Sequence, residues 1–189
     1  MHAAQVQQWG QAPKYTELPS PSLPPAGSGL IQIKVEAAGL HRLVRSRASG
    51  SHYSVKNLPH TPGTDGVGRT PDGELVYFSC FPEAISGSFR ELVNVPLKNV
   101  IPLPKATDPI QAAGLMNPGL SSWMALRSRC QDLPANFSVL IMGATSASGK
   151  LVFSLARILG AKRVIGCARN EAALKTLGLD ESLPLLDPA

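Results

Sequence analysis

Short segments in the first hundred residues alternate apolar and polar side chains, which is the period of half-buried β-strands. Leu30–Gly39 shows the pattern most clearly. Its apolar positions are Ile31, Ile33 and Val35, and its polar positions are Gln32, Lys34 and Glu36. Leu75–Phe81 and Phe89–Val95 have similar patterns, and a proline-rich connection, Leu18–Gly29, precedes the first of these strands. The sequence therefore predicts a small antiparallel β-domain over residues 1–105.

After Pro102 the spacing of apolar residues changes to that of helices. Asp108 is a suitable N-cap for a helix that runs to Gly114, and Ser121–Cys130 is a second helical segment. The residues between them are predicted to form a loop.

The last third of the chain has the order of a parallel α/β domain. A buried strand, Ser138–Met142, is followed by a turn of small residues, Gly143–Gly149, and by a helix, Lys150–Gly160. A second strand, Arg163–Cys167, and a second helix, Glu171–Leu177, come next. The apolar face of the first helix is predicted to contain Leu151, Val152, Leu155, Ile158 and Leu159. Because a dinucleotide-binding domain normally has two such halves, we expect residues 106–189 to hold linking helices and only the first half.

Composition narrows the class of protein without identifying its activity. An apolar share of 43% and a charged share of 16% are ordinary for a globular domain. The net charge of +5 is scattered, which favours phosphate-bearing small molecules slightly and argues against nucleic acid as a partner. The three cysteines lack CxxC spacing, and there is no signal-peptide pattern and no long apolar run. These features predict a cytoplasmic protein with no membrane partner.

The turn at Gly143–Gly149 has the chemistry of a pyrophosphate site. Small residues between a strand and a helix let backbone N–H groups approach a phosphate, and the helix dipole adds positive potential there. The predicted cofactor-binding residues of this turn are Ala144, Thr145, Ser146, Ala147, Ser148 and Gly149. The alternative is a tight strand-to-helix turn that binds nothing.

The end of the second strand indicates which cofactor would bind. NAD-specific sites place an acidic residue there, but this chain has Ala168, followed by Arg169 and Asn170. An uncharged residue beside a guanidinium can accept a 2′-phosphate, so the pattern favours NADP(H). The alternative is that Arg169 is a solvated loop residue.

Several motifs occur in an order that resembles one family. They are AAGLHR (37–42), PGTDGVGR (62–69), GSFREL (87–92), NPGLSSWMAL (117–126), GATSASGK (143–150) and RVIGCARN (163–170). The chain resembles the medium-chain dehydrogenase/reductase superfamily over essentially its whole length, and within it the zinc-free quinone oxidoreductase-like branch. The resemblance implies a C-terminally truncated member with a GroES-like domain and a partial Rossmann sheet.

The resemblance also implies an activity. NADPH would deliver a hydride to a quinone or an α,β-unsaturated carbonyl compound, with Asn117 and Ser121 in a loop near the nicotinamide. Members are often dimers, so a homodimer is expected.

A catalytic zinc is not expected. The zinc-dependent relatives use a Cys where this chain has His41, and a Gly-His-Glu where it has Gly63, Thr64 and Asp65. His41 and Asp65 could form a partial metal pair, but a tetrahedral site needs three protein ligands.

Without zinc, a hydrogen-bond donor must polarise the substrate carbonyl, and the predicted catalytic residues are Tyr53 and His41. The alternatives are a packing or surface tyrosine and a hydrogen-bonded structural histidine. No partner is predicted for the other histidines, His2, His52 and His60. A second hypothesis for the whole chain is a truncated, non-catalytic nucleotide-binding remnant, or a partner subunit or RNA-binding protein.

Overall fold

The computed structural model describes residues 1–80 and 87–185. The chain divides into two compact units, Met1–Asn117 and Pro118–Ala189. The first unit contains most of the strands, and the second contains the parallel sheet. The expectation of an antiparallel β-domain followed by part of a doubly wound parallel sheet is confirmed.

The strands are β1 (His2–Gln5), β2 (Lys14–Glu17), β3 (Leu30–Ala37), β4 (Asp65–Arg69), β5 (Leu75–Ser79), β6 (Leu92–Pro96), β7 (Val100–Pro102), β8 (Ser138–Met142), β9 (Arg163–Ala168) and β10 (Glu181–Pro184). The helices are α1 (Arg42–Ala48), α2 (Pro109–Met124), α3 (Ala147–Ile158) and α4 (Glu171–Lys175). A 3₁₀ turn spans Leu97–Asn99 and a π-helical turn spans Ala125–Arg129.

Five strands of the first unit form an antiparallel sheet in the order β6-β3-β4-β5-β7. The alternation predicted for Leu30–Gly39 is present in β3, where Ile33 is fully buried and Lys34 is exposed. The predicted strand Leu75–Phe81 forms β5 as far as Ser79, and Phe81 lies outside the described residues. β1 and β2 pair as a separate antiparallel ribbon.

Both faces of this sheet are buried around β5. One face packs into a core that contains Ile33, Val76, Phe78, Cys80, Val93 and Val95. The other face carries Leu75 and Tyr77, and it packs against Val67 and the start of α2 at Ala113. Side chains therefore cover the middle of the sheet on both sides, and β5 needs apolar residues at successive positions.

The second unit contains a three-stranded parallel sheet in the order β10-β9-β8. This is the 3-2-1 order of the first half of a dinucleotide-binding sheet. β8 and β9 are in register from Ser138 opposite Arg163 to Met142 opposite Cys167. The carboxyl ends of the two strands consequently lie side by side.

Helix α3 begins three residues earlier than its sequence pattern predicts. Ala147 and the two residues after it form its first turn instead of completing the preceding loop. The cause is Ser146, whose hydroxyl accepts a hydrogen bond from the N–H of Gly149 at 3.0 Å and caps the helix. The predicted C-terminal signal, Gly160, is confirmed by its positive φ of 92°.

The buried face of α3 also differs from the predicted one. Ala156 is fully buried in the core, with Val152, Phe153 and Leu159 packed against the same cluster. Ile158 is 74% exposed, so its prediction as a core position is wrong. The sequence contains two overlapping apolar stripes, and the helix places the one through Ala156 against the sheet.

The predicted loop between two helices is wrong as well. The first helix was predicted to end at Gly114, but α2 continues through Gly114 and Pro118 and includes Asn117 and Ser121. A proline costs the helix the hydrogen bond to the carbonyl four residues back, which belongs to Gly114. Packing of Ala113 in the core of the first unit helps to retain the helix, and tertiary packing commonly outweighs local propensity.

Candidate functional site

The turn after β8 is held against the end of β9. The N–H groups of Gly143 and Ala144 both donate to the carbonyl of Cys167, at 2.8 and 3.1 Å. Gly143 has a φ of 75°, which a residue with a side chain rarely adopts. The residues that follow β9 therefore lie beside the predicted pyrophosphate turn.

The start of α3 offers unpaired backbone donors. The N–H of Ser146 donates to Gly143 at 2.9 Å, and the N–H of Gly149 donates to the Ser146 hydroxyl. The N–H groups of Ala147 and Ser148 make no hydrogen bond within the described ranges. Such groups at a helix start favour an anion, because the helix dipole is positive there.

Two of the predicted turn residues shape the backbone. Ala144 is fully buried, and its side chain belongs to the core of the second unit. A Cβ at Gly149 would lie 2.2 Å from the carbonyl oxygen of Gly143, so only glycine lets helix and turn approach so closely. A Cβ at Gly166 would lie 2.2 Å from the Leu179 side chain and 3.1 Å from the Cβ of Ala144, so this strand position is also crowded. The sequence reasoning missed Gly166, although a glycine inside a strand is a signal for close approach.

Arg169 and Asn170 are both exposed at the carboxyl end of β9. The Asn170 side chain caps α4 by accepting from the N–H of Ala173 at 2.9 Å. In the part of the chain that the structure describes, the Arg169 guanidinium has no hydrogen-bond or ion-pair partner. Its five donors are therefore available for a ligand.

The other two predicted cofactor-binding residues lie in α2. Asn117 is half-buried and is the last residue of the first unit. Ser121 is exposed in the second unit, and its hydroxyl donates to the Pro118 carbonyl at 3.2 Å. The stretch of α2 near Ser121 approaches α3, since a Cβ at Gly119 would lie 3.6 Å from the Leu151 side chain.

A buried hydrogen-bond network surrounds Asp65 in the first unit. The carboxylate is 1% exposed and has three partners. His41 Nε2 lies 3.0 Å from Oδ1, the Thr64 hydroxyl donates to Oδ1 at 2.6 Å, and the Tyr77 hydroxyl donates to Oδ2 at 2.9 Å. Ser88 donates to the Asp65 carbonyl oxygen at 2.6 Å. This arrangement satisfies a buried carboxylate without a metal.

The electrostatics of the network keep its neighbours protonated. Burial, and next the charge of Asp65, raise the pKa of Tyr77 well above its usual range. Burial raises the pKa of the Cys80 thiol to about 12, and Asp65 adds to the shift. Across residues 1–80 and 87–185, no group of three or more His, Cys, Asp or Glu side chains could hold a metal ion. His41 and Asp65 are brought together, but as a hydrogen-bonded pair.

The two predicted catalytic residues are not brought together. His41 precedes α1 and Tyr53 follows it, and a seven-residue helix is about 10 Å long. The His41 side chain is 12% exposed and its Nδ1 is buried without a hydrogen-bond partner in the described residues. Tyr53 is 86% exposed. The structure therefore places His41 in a buried network and Tyr53 at the surface.

The remaining histidines have partners that sequence patterns did not reveal. His2 pairs with Glu91 at 3.2 Å and stacks on Tyr15. The His52 ring lies 4.4 Å from the Tyr53 ring, centroid to centroid, and its Nδ1 lies 2.8 Å from the Ser54 hydroxyl. The His60 ring lies 6.1 Å from that of Trp9. The contact between His52 and Tyr53 could have been suspected from the sequence, because the two residues are adjacent in the chain.

These features define a class of protein. A strand, a tight turn, a capped helix and a parallel second strand form the nucleotide-binding half of an α/β sheet. An antiparallel β-domain precedes it in the chain.

Comparison with curated proteins finds relatives that are named as quinone reductases. The chain is 40% identical to "Probable NADPH-dependent quinone reductase tdiC" of Emericella nidulans, over 95% of this chain and 59% of that protein. It is 31% identical to a quinone oxidoreductase of Sus scrofa, over 90% of this chain and 54% of the relative. The homologues of this chain are quinone oxidoreductases of the medium-chain dehydrogenase/reductase superfamily.

Solved structures show the same similarity. The quinone oxidoreductase from Thermus thermophilus, solved alone and with NADPH, superimposes with a TM-score of 0.81 at 28% identity. The match covers 97% of this chain and 60% of that chain. The two units accordingly correspond to GroES-like and Rossmann-like parts. The chain thus spans less than two thirds of the length of these relatives.

Two further observations concern family models and membrane-spanning helices. A scan against models of protein families finds no match. None of the helices in the described ranges is long and apolar enough to cross a membrane.

Proposed function

We propose that this protein is an NADPH-dependent oxidoreductase that transfers a hydride to a quinone or an α,β-unsaturated carbonyl compound, without zinc. The observation that carries the proposal is the junction of β8 and β9. There, backbone N–H groups at the start of α3 and the guanidinium of Arg169, none of which has a partner among the described residues, lie on either side of an uncharged strand end. The names of the Emericella and Thermus relatives, which include NADPH and quinone, support it.

The residues present fit NADPH. The N–H groups of Ala147 and Ser148, with the Thr145 and Ser146 side chains, would face the diphosphate. Ala144 and Gly149 would keep the turn narrow, because the Ala144 side chain is buried and Gly149 lies against the carbonyl of Gly143.

At the other positions, Arg169 and the amide of Asn170 would hold the 2′-phosphate. Asn117 and Ser121 remain our proposal for the nicotinamide side. The bound cofactor would supply the hydride and its electron pair.

Carbonyl polarisation would come from a side chain of the first unit. Tyr53 is the better placed of the two candidates, because its hydroxyl is accessible while His41 Nδ1 is covered by protein atoms. The Nε2 of His41 is already hydrogen-bonded to the Asp65 carboxylate. We therefore propose that Tyr53 contacts the substrate oxygen and that His41 supports the local structure or acts after a rearrangement.

The proposal is tested by mixing the purified chain with NADPH and a simple quinone and following the absorbance of reduced cofactor. We expect oxidation of NADPH, and also a higher unfolding temperature in NADPH, because a ligand that binds only the folded state stabilises it. Stabilisation without oxidation would favour a nucleotide-binding remnant. If NADPH is not oxidised and the unfolding temperature does not rise, the proposal is contradicted. A cytoplasmic location and a homodimeric state remain predictions from sequence and resemblance.

A further inference from the structure

The segment that follows α1 orients a second hydrogen-bond donor beside Tyr53. His52 Nδ1 lies 3.3 Å from the backbone nitrogen of Ser54 and 2.8 Å from its hydroxyl. The segment makes this contact locally, because the histidine and its partner are two residues apart. The imidazole is half-buried and the neighbouring tyrosine is exposed.

The contact with the backbone determines the tautomer. A backbone N–H can only donate, so Nδ1 must accept and the proton of the neutral ring is on Nε2. No partner of Nε2 occurs among the described residues. His52 consequently presents an N–H donor at Nε2.

The donor is next to the proposed substrate contact. The rings of His52 and Tyr53 lie 4.4 Å apart between centroids, at an interplanar angle of 31°. This ring contact restricts both side chains and keeps the imidazole N–H and the phenolic O–H on the same short segment.

We propose that His52 donates a hydrogen bond from Nε2 to the carbonyl oxygen of the substrate, beside the Tyr53 hydroxyl. This rests on the proposed function. Hydride addition to a quinone or an enone moves an electron pair onto the carbonyl oxygen, and two donors stabilise the negative charge better than one. The oxygen then takes a proton from water, so one hydride and one proton complete the reduction.

The test uses the whole chain with saturating NADPH and a varied quinone. His52→Phe keeps an aromatic ring against Tyr53 and removes the donor, and it should lower kcat/KM for the quinone about tenfold. His52→Gln restores an N–H donor and should recover most of that loss. The KM for NADPH should not change in either variant.

The matched control is His2→Phe, because His2 is also a histidine stacked on an exposed tyrosine, Tyr15, at 4.7 Å. It should leave kcat/KM unchanged. Equal rates for His52→Phe and His2→Phe would overturn the role of His52 while leaving the proposed function intact. A His52→Gln variant as impaired as His52→Phe would also overturn it. A wild-type chain that never oxidises NADPH would overturn the proposed function, and this role with it.

Discussion

At the scale of single residues, Arg169 and its neighbour Asn170 differ in the hydrogen-bonding groups that remain available to a ligand. The Asn170 oxygen is used as a helix cap, whereas the guanidinium has no partner in the described chain. An exposed arginine without a partner contributes little to stability, so a substitution there tests ligand binding and not folding.

We predict that Arg169→Ala weakens NADPH binding by about 1.5–3 kcal/mol, the scale of a hydrogen bond to a charged group, and barely changes NADH binding. Titration calorimetry with both cofactors measures the difference. Arg129→Ala, an exposed arginine on the π-helical turn, is the control and should bind both as the wild type does. Equal losses for the two cofactors would rule out the 2′-phosphate contact.

The hydroxyl of Tyr77 contributes to the stability of the first unit through its hydrogen bond to the buried Asp65 carboxylate. Tyr77→Phe removes one hydroxyl, and the buried Asp65 carboxylate loses one of its three side-chain donors. We predict a loss of about 1–3 kcal/mol in the free energy of unfolding, the penalty for an unsatisfied buried polar group. Denaturant titration measures it, with the exposed Tyr15→Phe as control. An unchanged midpoint would mean that water replaces the hydroxyl.

At the scale of elements, Asp180 ties together three parts of the second unit. Its carboxylate accepts from the backbone N–H of Val164 in β9 and from Arg157 of α3, whose Nη2 reaches both oxygens at 2.7 and 2.6 Å. Arg157 also donates to the carbonyls of Ala161 and Lys162. The backbone bond from Val164, followed by the bond from Arg157, lowers the pKa of Asp180.

This shift predicts a pH dependence for stability. The folded state holds the ionised carboxylate, so the stabilisation is present above the ordinary Asp pKa of about 3.9 and is lost as the pH falls through the lower folded pKa. Asp180→Asn should therefore unfold at a lower temperature than the wild type at pH 7, and the difference should shrink towards pH 3. A difference independent of pH would show that the charge is not what stabilises the junction.

The elements themselves were predictable to different degrees. β8 has the predicted bounds, because five apolar-rich residues before a glycine turn form a strong local signal. The start of α3 was missed by three residues, since the pattern does not show that Ser146 caps the helix. The continuity of α2 was missed because glycine and proline are local signals, while the packing of Ala113 depends on the sheet.

At the scale of the whole molecule, strand register decides which distant residues meet. His41 and Asp65 are 24 residues apart, and Tyr77 joins them from the adjacent strand, where Asp65 is opposite Ser79. Tyr77 is two residues from Ser79 and so shares its face of the sheet. The sequence named His41 and Asp65 as a possible pair but had no means of finding Tyr77.

The amino-acid sequence by itself determined the two kinds of domain, the small-residue turn and the missing acidic residue at Ala168, because these depend on neighbours a few positions apart. Tertiary structure decided that Ile158 faces outward, that His41 is enclosed and that Tyr53 is open. Burial depends on which surfaces of distant segments meet, and the period of a single helix or strand does not contain that information.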